Sequence, residues 1–273
     1  MCTLLLAWQV DPARPLIVAA NRDEFRARPT AAAHFWPEAP QLLAGRDLQA
    51  GGTWLGVTRQ GRFAALTNVR EPGVAPPPGA PSRGRLVVDF LGGTTAPGAY
   101  LADLDPAAYA GFNLVAGDMA SLWYLGNRSG EPRPLAPGVH GVSNAGLDTP
   151  WPKVSRGRQR LGELARTGAI TTANLLALLA DETVAEDAEL PDTGVGLVME
   201  RLLSPLFIDG PVYGTCSSTA LVVHADGRVR FCERTTNGRI TGPEGCGAAR
   251  DVMIEFVSDE PAHPVSDSDS RPR

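Results

Sequence analysis

Short apolar runs bounded by turn residues recur near both ends of the chain, which is the pattern of β-hairpins. The first run begins at residue 2 and is followed by a turn at residues 11–15, so the chain is predicted to open with a hairpin. The predicted strands are residues 2–9, 16–21, 53–57, 63–68, 112–116, 121–125, 217–224, 229–234 and 251–257.

Helical spacing of apolar residues dominates the middle of the chain. The predicted helices are residues 85–91, 99–104, 153–166, 172–181 and 195–203. The Pro-rich residues 73–81 and the acidic residues 181–192 are predicted loops. Because strands gather at both ends and helices lie between them, we expect an α+β fold in which helices cover two stacked antiparallel sheets.

The composition changes near the end of the chain. From Ser258 to Arg273 the residues are mainly Ser, Asp, Pro and Arg, which cannot bury apolar surface. We therefore expect a single domain over residues 1–257 and a disordered tail over residues 258–273.

The chain has 273 residues, of which 43% are apolar and 20% charged, so it can bury a sizeable core. Its net charge of -5, with both signs interleaved, argues against nucleic-acid and anionic-membrane partners. No apolar run approaches the roughly 20 residues that cross a bilayer, and the start lacks a secretory leader. We expect a cytoplasmic protein without integral membrane association.

The metal-binding residue types show no metal-binding pattern. The four cysteines have no CxxC spacing, and the four histidines form no HxxxH or HExxH motif. We therefore expect neither a bound metal nor an organic cofactor.

Cys2 is the candidate nucleophile. Removal of Met1 would leave a free α-amine on the same residue as the thiol, and an α-amine with a pKa of about 7.7–8.0 can accept the thiol proton near neutral pH. A small second residue such as cysteine generally permits this removal. The alternative is that Cys2 is a small apolar residue packed in the first strand.

Four polar residues, Asn21-Arg22-Asp23-Glu24, directly follow the second predicted strand. Arg22 carries planar donors that can fix a carboxylate or an oxyanion, and Asp23 or Glu24 can hold the α-amine and tune its pKa. The same run can also be a solvated turn with a local ion pair.

Ordered motifs extend along most of the chain: MCTL at 1–4, ANRDEF at 20–25, GGTWLG at 51–56, LTNVR at 66–70, SNAGLDTPWPK at 143–153, YGT at 213–215 and SST at 217–219. Together they resemble the Transport and Golgi organisation 2 family, also called the NRDE family. Members of that family are linked to haem movement, lipid or acyl-CoA metabolism and secretory organisation, without a settled catalytic activity.

More distantly, the order of Cys2, an Arg-Asp pair and two asparagines resembles the cysteine acylases of the penicillin V acylase and bile salt hydrolase group. This resemblance implies a four-layer αββα sandwich of the N-terminal-nucleophile hydrolase type. It also implies catalytic roles for Cys2, Arg22 and Asp23, and an oxyanion hole formed by Asn68 and Asn144. As alternatives, Asn68 can close a turn and Asn144 can cap a loop.

Six further side chains are candidates for substrate contact: Asn21, Glu24, Trp54, Arg70, Trp151 and Lys153. Asn21 and Glu24 also compete for the catalytic positions given to Arg22 and Asp23. Trp54 and Trp151 can line an apolar pocket or anchor the core. Lys153, just inside a helix opened by Pro152, can face the substrate or be a surface charge.

One position departs from the family pattern. Members of the family usually have an arginine between Thr215 and Ser217, whereas this chain has Cys216. A charge-stabilising side chain is therefore expected to be missing. Cys216 is also an alternative thiol, although a buried structural role is favoured in a strand.

These features predict an N-terminal-cysteine hydrolase or acyltransferase of the NRDE family that acts on a small-molecule amide or thioester. The rival is a non-enzymatic trafficking protein that binds haem or an acyl lipid as a hydrophobic ligand on the same fold. No pair of haem ligands stands out in the sequence. The oligomeric state stays open.

Overall fold

The computed structural model describes residues 2–236 and 250–259. Within them the strands are β1 (Cys2–Trp8), β2 (Leu16–Phe25), β3 (Thr30–Trp36), β4 (Ala39–Asp47), β5 (Leu55–Thr58), β6 (Phe63–Asn68), β7 (Phe112–Gly117), β8 (Leu122–Gly126), β9 (Arg133–Pro134), β10 (Gly138–Val142), β11 (Tyr213–Val223), β12 (Arg228–Thr235) and β13 (Arg250–Val257). The helices are α1 (Gly84–Gly92), α2 (Pro97–Ala102), α3 (Pro152–Arg166), α4 (Thr172–Leu179) and α5 (Leu197–Leu202).

The strands form two antiparallel sheets. The first sheet has the order β10-β1-β2-β11-β12-β13, and the second has the order β3-β4-β5-β6-β7-β8-β9. The second sheet is a meander in which each strand pairs with the next one along the chain. In the first sheet β2 pairs with β11, so segments from the two ends of the chain meet at its centre.

Apolar side chains alternate along β1 and separate two cores. Leu4, Leu6 and Trp8 belong to the core between the sheets, whereas Leu5 and Ala7 pack under α3 and α4. A third core joins α1 and α2 to the outer face of the second sheet. The predicted four-layer αββα sandwich is therefore confirmed.

The polar tetrapeptide lies inside the second strand. β2 continues to Phe25, and Asn21, Arg22 and Asp23 are at most 5% exposed. The prediction that these residues follow the strand, and its alternative of a solvated turn, are both wrong. The neighbouring strands β1 and β11 extend along this segment, so its backbone groups remain paired.

The sequence pattern failed at β3, β4, β9 and β10. β3 and β10 are edge strands, where one face of weakly apolar residues is enough to hold the strand in place. Register shifts between β3 and β4 also interrupt the alternation of buried and exposed residues. The alternation of apolar and polar residues that predicts a strand is therefore missing at these positions.

All five predicted helices are present with shifted ends, and the predicted loop at 181–192 contains a 3₁₀ turn at Asp187–Glu189. Ser258 is buried, and its Oγ donates to the Arg59 carbonyl oxygen over 2.9 Å. The chain is thus still packed where the disordered tail was predicted to begin. Residues 260–273 of that tail lie outside the described residues.

The loop before β5 lies against the start of α1. A Cβ atom added to Gly52 would lie 2.7 Å from the carbonyl carbon of Gly84, which is too close for any side chain. The Thr53 amide also donates to the Gly84 carbonyl oxygen, over 3.4 Å. This close approach of two backbones requires glycine at position 52, and two residues later Trp54 packs in the core between the sheets.

Gly52→Ala is expected to lower the free energy of unfolding by about 1–3 kcal/mol, because the two backbones would have to separate. Urea denaturation measures this change. Gly92→Ala is the matched control: a Cβ there meets no atom within 4 Å, and alanine is the better helix former. Equal losses in the two variants would contradict the importance of the close contact.

Candidate active site

A cleft of about 120 Å³ opens between the two sheets, where β1 begins and β2 ends. Six predicted site residues line it: Cys2, Arg22, Asp23, Glu24, Trp54 and Asn68. The other five predicted residues do not line it: Asn21, Arg70, Asn144, Trp151 and Lys153.

Cys2 and Arg22 are direct partners across β1 and β2, so their side chains lie on the same face of the sheet. The Arg22 guanidinium lies 4.6 Å from the centre of the Trp54 ring, and its Nη2 lies 3.9 Å from Glu24 Oε2. Nη1 of Arg22 is buried and has no hydrogen-bond partner among the described residues. Arg22 therefore keeps an uncommitted donor on the face that carries Cys2.

Asp23 is held from β11. The Thr215 hydroxyl donates to Asp23 Oδ1 over 2.7 Å, and the Tyr213 hydroxyl donates to the Asp23 carbonyl oxygen over 3.0 Å. A β-bulge lets Thr215 pair with Asp23 and Ser217 with Arg22. Because of the bulge, Thr215 and Ser217 face opposite sides of the sheet although they are two positions apart.

The titratable groups of the cleft are strongly affected by burial. Burial raises the pKa of the Cys2 thiol, so the thiol is protonated at neutral pH and needs a proton acceptor before it can attack. Burial also raises the pKa of Asp23, while the charge of Lys153 acts in the opposite direction. These pKa shifts show that Cys2, Asp23 and Lys153 are electrostatically coupled.

Lys153 is the only lysine in the chain. It is 2% exposed, and its Nζ has no hydrogen-bond partner in the described part of the chain. Burial lowers its pKa to about 8, against the opposing effect of Asp23. Neither predicted role fits, because Lys153 is buried and does not line the cleft. Lysine can lose its proton on burial and arginine cannot, so a single lysine among arginines was a signal that sequence reasoning missed.

Arg70 and Trp151 form a second buried group with Glu200. Arg70 Nη1 donates to Glu200 Oε2 over 2.7 Å, and the Arg70 guanidinium lies 4.8 Å from the Trp151 ring centre. The Thr193 amide donates to the other Glu200 oxygen over 2.9 Å. These contacts hold α5 and the start of α3 together, and neither Arg70 nor Trp151 lines the cleft.

Asn68 and Asn144 differ in position. Asn144 is 1% exposed, and its Nδ2 donates to the Asn68 carbonyl oxygen over 2.9 Å. Asn68 ends β6 and lines the cleft, and its side-chain amide has no hydrogen bond within the described residues. Asn68 is therefore placed to meet a ligand, whereas Asn144 positions Asn68.

Asn21 ties β2 to the helical layer. Its Nδ2 donates to the carbonyl oxygens of Leu179 and Leu206 over 2.9 and 2.8 Å, and the Ser218 hydroxyl donates to its Oδ1 over 2.6 Å. All three of these bonds lie inside the protein, so Asn21 joins β2 to the helical layer, and it does not line the cleft.

Cys216 is the extra residue of the β-bulge. It is half-buried, and its Sγ lies 3.5 Å from the Glu24 carbonyl oxygen, which accepts its weak hydrogen bond. Burial raises the pKa of its thiol. Cys216 lines a neighbouring cavity and not the Cys2 cleft.

Several residues of the cleft were not predicted. Arg28 donates through Nε and Nη2 to Asp47 Oδ2, over 2.9 and 2.7 Å. Arg83 donates to the Gly111 carbonyl oxygen over 2.7 Å, and burial lowers its pKa. Arg28 lies just before β3 and Asp47 ends β4, two of the strands that the sequence pattern missed, so nothing in the local sequence marked them.

Within residues 2–236 and 250–259, no three His, Cys, Asp or Glu side chains gather as a metal site would need. No helix in the same part of the chain has the length and apolar character needed to cross a membrane.

The lowered pKa of Lys153 predicts a pH-dependent stability. Between its pKa of about 8 and the ordinary value of 10.5, the unfolded chain holds a proton that the folded chain has lost. The contribution of Lys153 to the free energy of unfolding therefore rises over this interval, by on the order of 3 kcal/mol. We expect the stability of the parent relative to Lys153→Met to increase from pH 8 to about pH 10.5.

Urea denaturation at both pH values measures this difference. Arg166→Met, at an exposed position at the other end of α3, is the control for removing a long basic side chain. If the free energy of unfolding differs between the parent and Lys153→Met by the same amount at both pH values, the result would contradict a lowered pKa of Lys153.

Two solved structures are similar to the chain in fold. The Caenorhabditis elegans ortholog of N-acylethanolamine-hydrolyzing acid amidase has a TM-score of 0.47 at 13% identity, over 81% of this chain and 92% of that chain. A mutant of the conjugated bile acid hydrolase from Clostridium perfringens has a TM-score of 0.49 at 8% identity, over 94% of this chain and 98% of that chain.

The sequence relatives are much more similar. The family model for Transport and Golgi organisation 2 matches residues 1–238. The Transport and Golgi organization protein 2 homolog of Homo sapiens is 39% identical over 259 residues, which cover 86% of this chain and 93% of the human protein. The chain therefore belongs to the Transport and Golgi organisation 2 family, as the motifs around Cys2 and the buried tetrapeptide predicted.

Proposed function

We propose that this protein cleaves or transfers an acyl group from an amide or a thioester, with Cys2 as the nucleophile. The observation that carries the proposal is the position of Cys2, half-buried in a cleft that Arg22, Asp23 and Asn68 also line. A thiol and a hydrogen-bond-donating amide are thus available to one bound carbonyl group, and the charge of the chain's α-amine acts on the Asp23 carboxyl.

The first step needs a proton acceptor for the Cys2 thiol. When Met1 has been removed, the neutral α-amine of Cys2 accepts the Sγ–H proton as sulfur attacks the carbonyl carbon of the substrate. A carbon–sulfur bond forms, and the electron pair of the carbonyl π bond moves to oxygen. Asp23 stabilises the resulting ammonium group.

The negative oxygen is stabilised by the Asn68 amide. One such donor lowers the barrier by about 2.7–4 kcal/mol in hydrolases of this general kind. The bond to the leaving group then breaks, and the leaving amine or thiol takes the proton from the ammonium group. Water attacks the remaining thioester and gives a proton to the α-amine. The carbon–sulfur bond then breaks, a carboxylic acid is released, and the Cys2 sulfur takes the proton back from the α-ammonium group; another nucleophile in place of water gives acyl transfer.

Replacement of the nucleophile tests this mechanism. Cys2→Ala is expected to reduce turnover of N-acyl amides and acyl thioesters to the uncatalysed rate, because no sulfur remains to form the acyl-enzyme. Release of the amine or thiol measures turnover. Cys216→Ala is the matched thiol variant, and it should be faster than Cys2→Ala by orders of magnitude. Equal turnover in the parent and Cys2→Ala proteins would end the proposal.

The intact mass of the purified protein tests the proton acceptor. The mechanism requires a chain that begins at Cys2, and a retained Met1 would block the α-amine. During turnover of a thioester, the mass of the parent should increase by one acyl group, and that of Cys2→Ala should not. A haem or acyl-lipid complex that forms equally well with both proteins, without turnover, would favour the binding protein instead.

A further inference from the structure

A second cavity, of about 220 Å³, adjoins the Cys2 cleft. The two cavities share Arg22 and Arg28. On one side the second cavity is lined by Ser217 and Thr235 from β11 and β12, and on the other by residues 29–32 at the start of β3. It therefore lies between the two sheets, as the Cys2 cleft does.

The strand registers connect the two cavities. Cys2 pairs with Arg22, Arg22 pairs with Ser217, and Ser217 pairs with Thr235. Residues paired directly across strands point to the same face, so these four side chains form a polar row across four adjacent strands. With strands about 4.8 Å apart, Ser217 lies two spacings (about 10 Å) from Cys2, and Thr235 lies three spacings (about 14 Å) from it.

Three donors along the polar row have no partner. Arg22 Nη1, Ser217 Oγ and Thr235 Oγ1 are buried without a hydrogen bond to any described residue. Arg22 and Ser217 are each only 5% exposed. Buried polar groups in native proteins are almost always satisfied. Three unsatisfied donors in a line along a cavity therefore indicate a ligand rich in acceptor oxygens.

The charges around the cavity favour an anion. Arg26 and Arg28 also line it, although each is already paired, with Asp209 over 3.3 Å and Asp47 over 2.7 Å respectively. Glu233 is the acidic residue among the described lining residues, and it accepts a hydrogen bond from the Ala33 amide over 2.7 Å. Burial raises the pKa of Glu233 to about 7, so its opposing charge is partly removed at neutral pH.

We propose that the polar row binds a carboxylate or phosphate group of the acyl substrate, whose cleavable carbonyl lies at Cys2. Charge-assisted hydrogen bonds from Arg22 and the two hydroxyls are the recognition chemistry. The substrate is then an elongated acyl compound with its anionic group about 10 Å or more from the carbonyl. The placement of the reacting carbonyl at Cys2 rests on the proposed function, whereas binding of the anion does not require turnover.

A matched substrate pair tests the distance and the charge. Octanedioic acid mono(4-nitroanilide) carries a carboxylate far from its amide, its methyl ester is neutral, and the butanedioic acid compound is too short to reach Ser217. We expect kcat/KM for the long acid to exceed that for its ester by about tenfold or more, and the short acid to lack this preference. A phosphate-terminated analogue of the same length shows which anion is preferred.

The double variant Ser217→Ala/Thr235→Val should remove this preference. Because neither hydroxyl has a partner among the described residues, its removal breaks no internal bond, and the variant should melt no lower than the parent. Ser155→Ala, at an exposed position on α3, is the control for loss of a hydroxyl. An acid-to-ester ratio that is unchanged in the double variant overturns the proposal.

A binding measurement separates the anion site from catalysis. Calorimetric titration of octanedioate and of inorganic phosphate into the Cys2→Ala protein needs no turnover. We expect about tenfold weaker binding after the double substitution. We also expect tighter binding of octanedioate after Glu233→Gln at pH 8, where the parent carries the Glu233 charge.

If no acyl compound is turned over but these shifts in affinity are seen, the proposed function fails and the anion site stands. If neither anion binds, or both bind equally to all variants, the anion site is overturned whatever the turnover.

Discussion

The structure depends on the burial of polar and charged residues at the end of β2. A buried polar group without a hydrogen bond is costly, and a buried charge without a partner is more so. Asn21 therefore fixes the end of α4 and the segment around Leu206, and Asp23 fixes β11 through Thr215. The hydrogen bonds that Asn21 and Asp23 need therefore set the positions of α4 and β11.

The same constraint shapes the cleft. Asp23 and Arg22 face opposite sides of β2, so β11 must offer side chains to both, and the bulge at Cys216 lets it do so. Cys216, where relatives were expected to have an arginine, is the extra residue of this bulge. Arg22 already brings a cation to this end of the sheet, with Nη1 uncommitted, and Arg26 and Arg28 lie along the adjacent cavity.

Burial at the site favours the neutral forms of three titratable groups, which suits them to transfer protons more than to hold fixed charges. Burial makes the Cys2 thiol harder to ionise, the Asp23 carboxyl harder to ionise and the Lys153 amine easier to deprotonate. The pKa values of Asp23 and Lys153 are drawn toward neutrality, which is characteristic of functional sites, whereas the pKa of the Cys2 thiol moves further above it. The neighbouring Arg70 and Glu200 side chains are paired with each other over 2.7 Å.

Local patterns in the sequence determined the opening hairpin, the five helices and the ordered motifs that led to the family and the αββα sandwich. The second position in the chain indicated Cys2, and the polar run after an apolar strand indicated Arg22 and Asp23. Asn68 was indicated by the resemblance to the cysteine acylases. The missed strands β3 and β10 lie at sheet edges, where burial does not impose a clear alternation.

Only the tertiary structure decided which way the other candidates face. Asn21, Asn144 and Lys153 are polar in sequence but are turned into the protein, since their partners or neighbours come from segments far along the chain. The polar row from Cys2 to Thr235 likewise exists only through the pairing of four strands and one bulge. Strand register is a long-range property, and a shift of one residue would turn each of these side chains to the other face of the sheet.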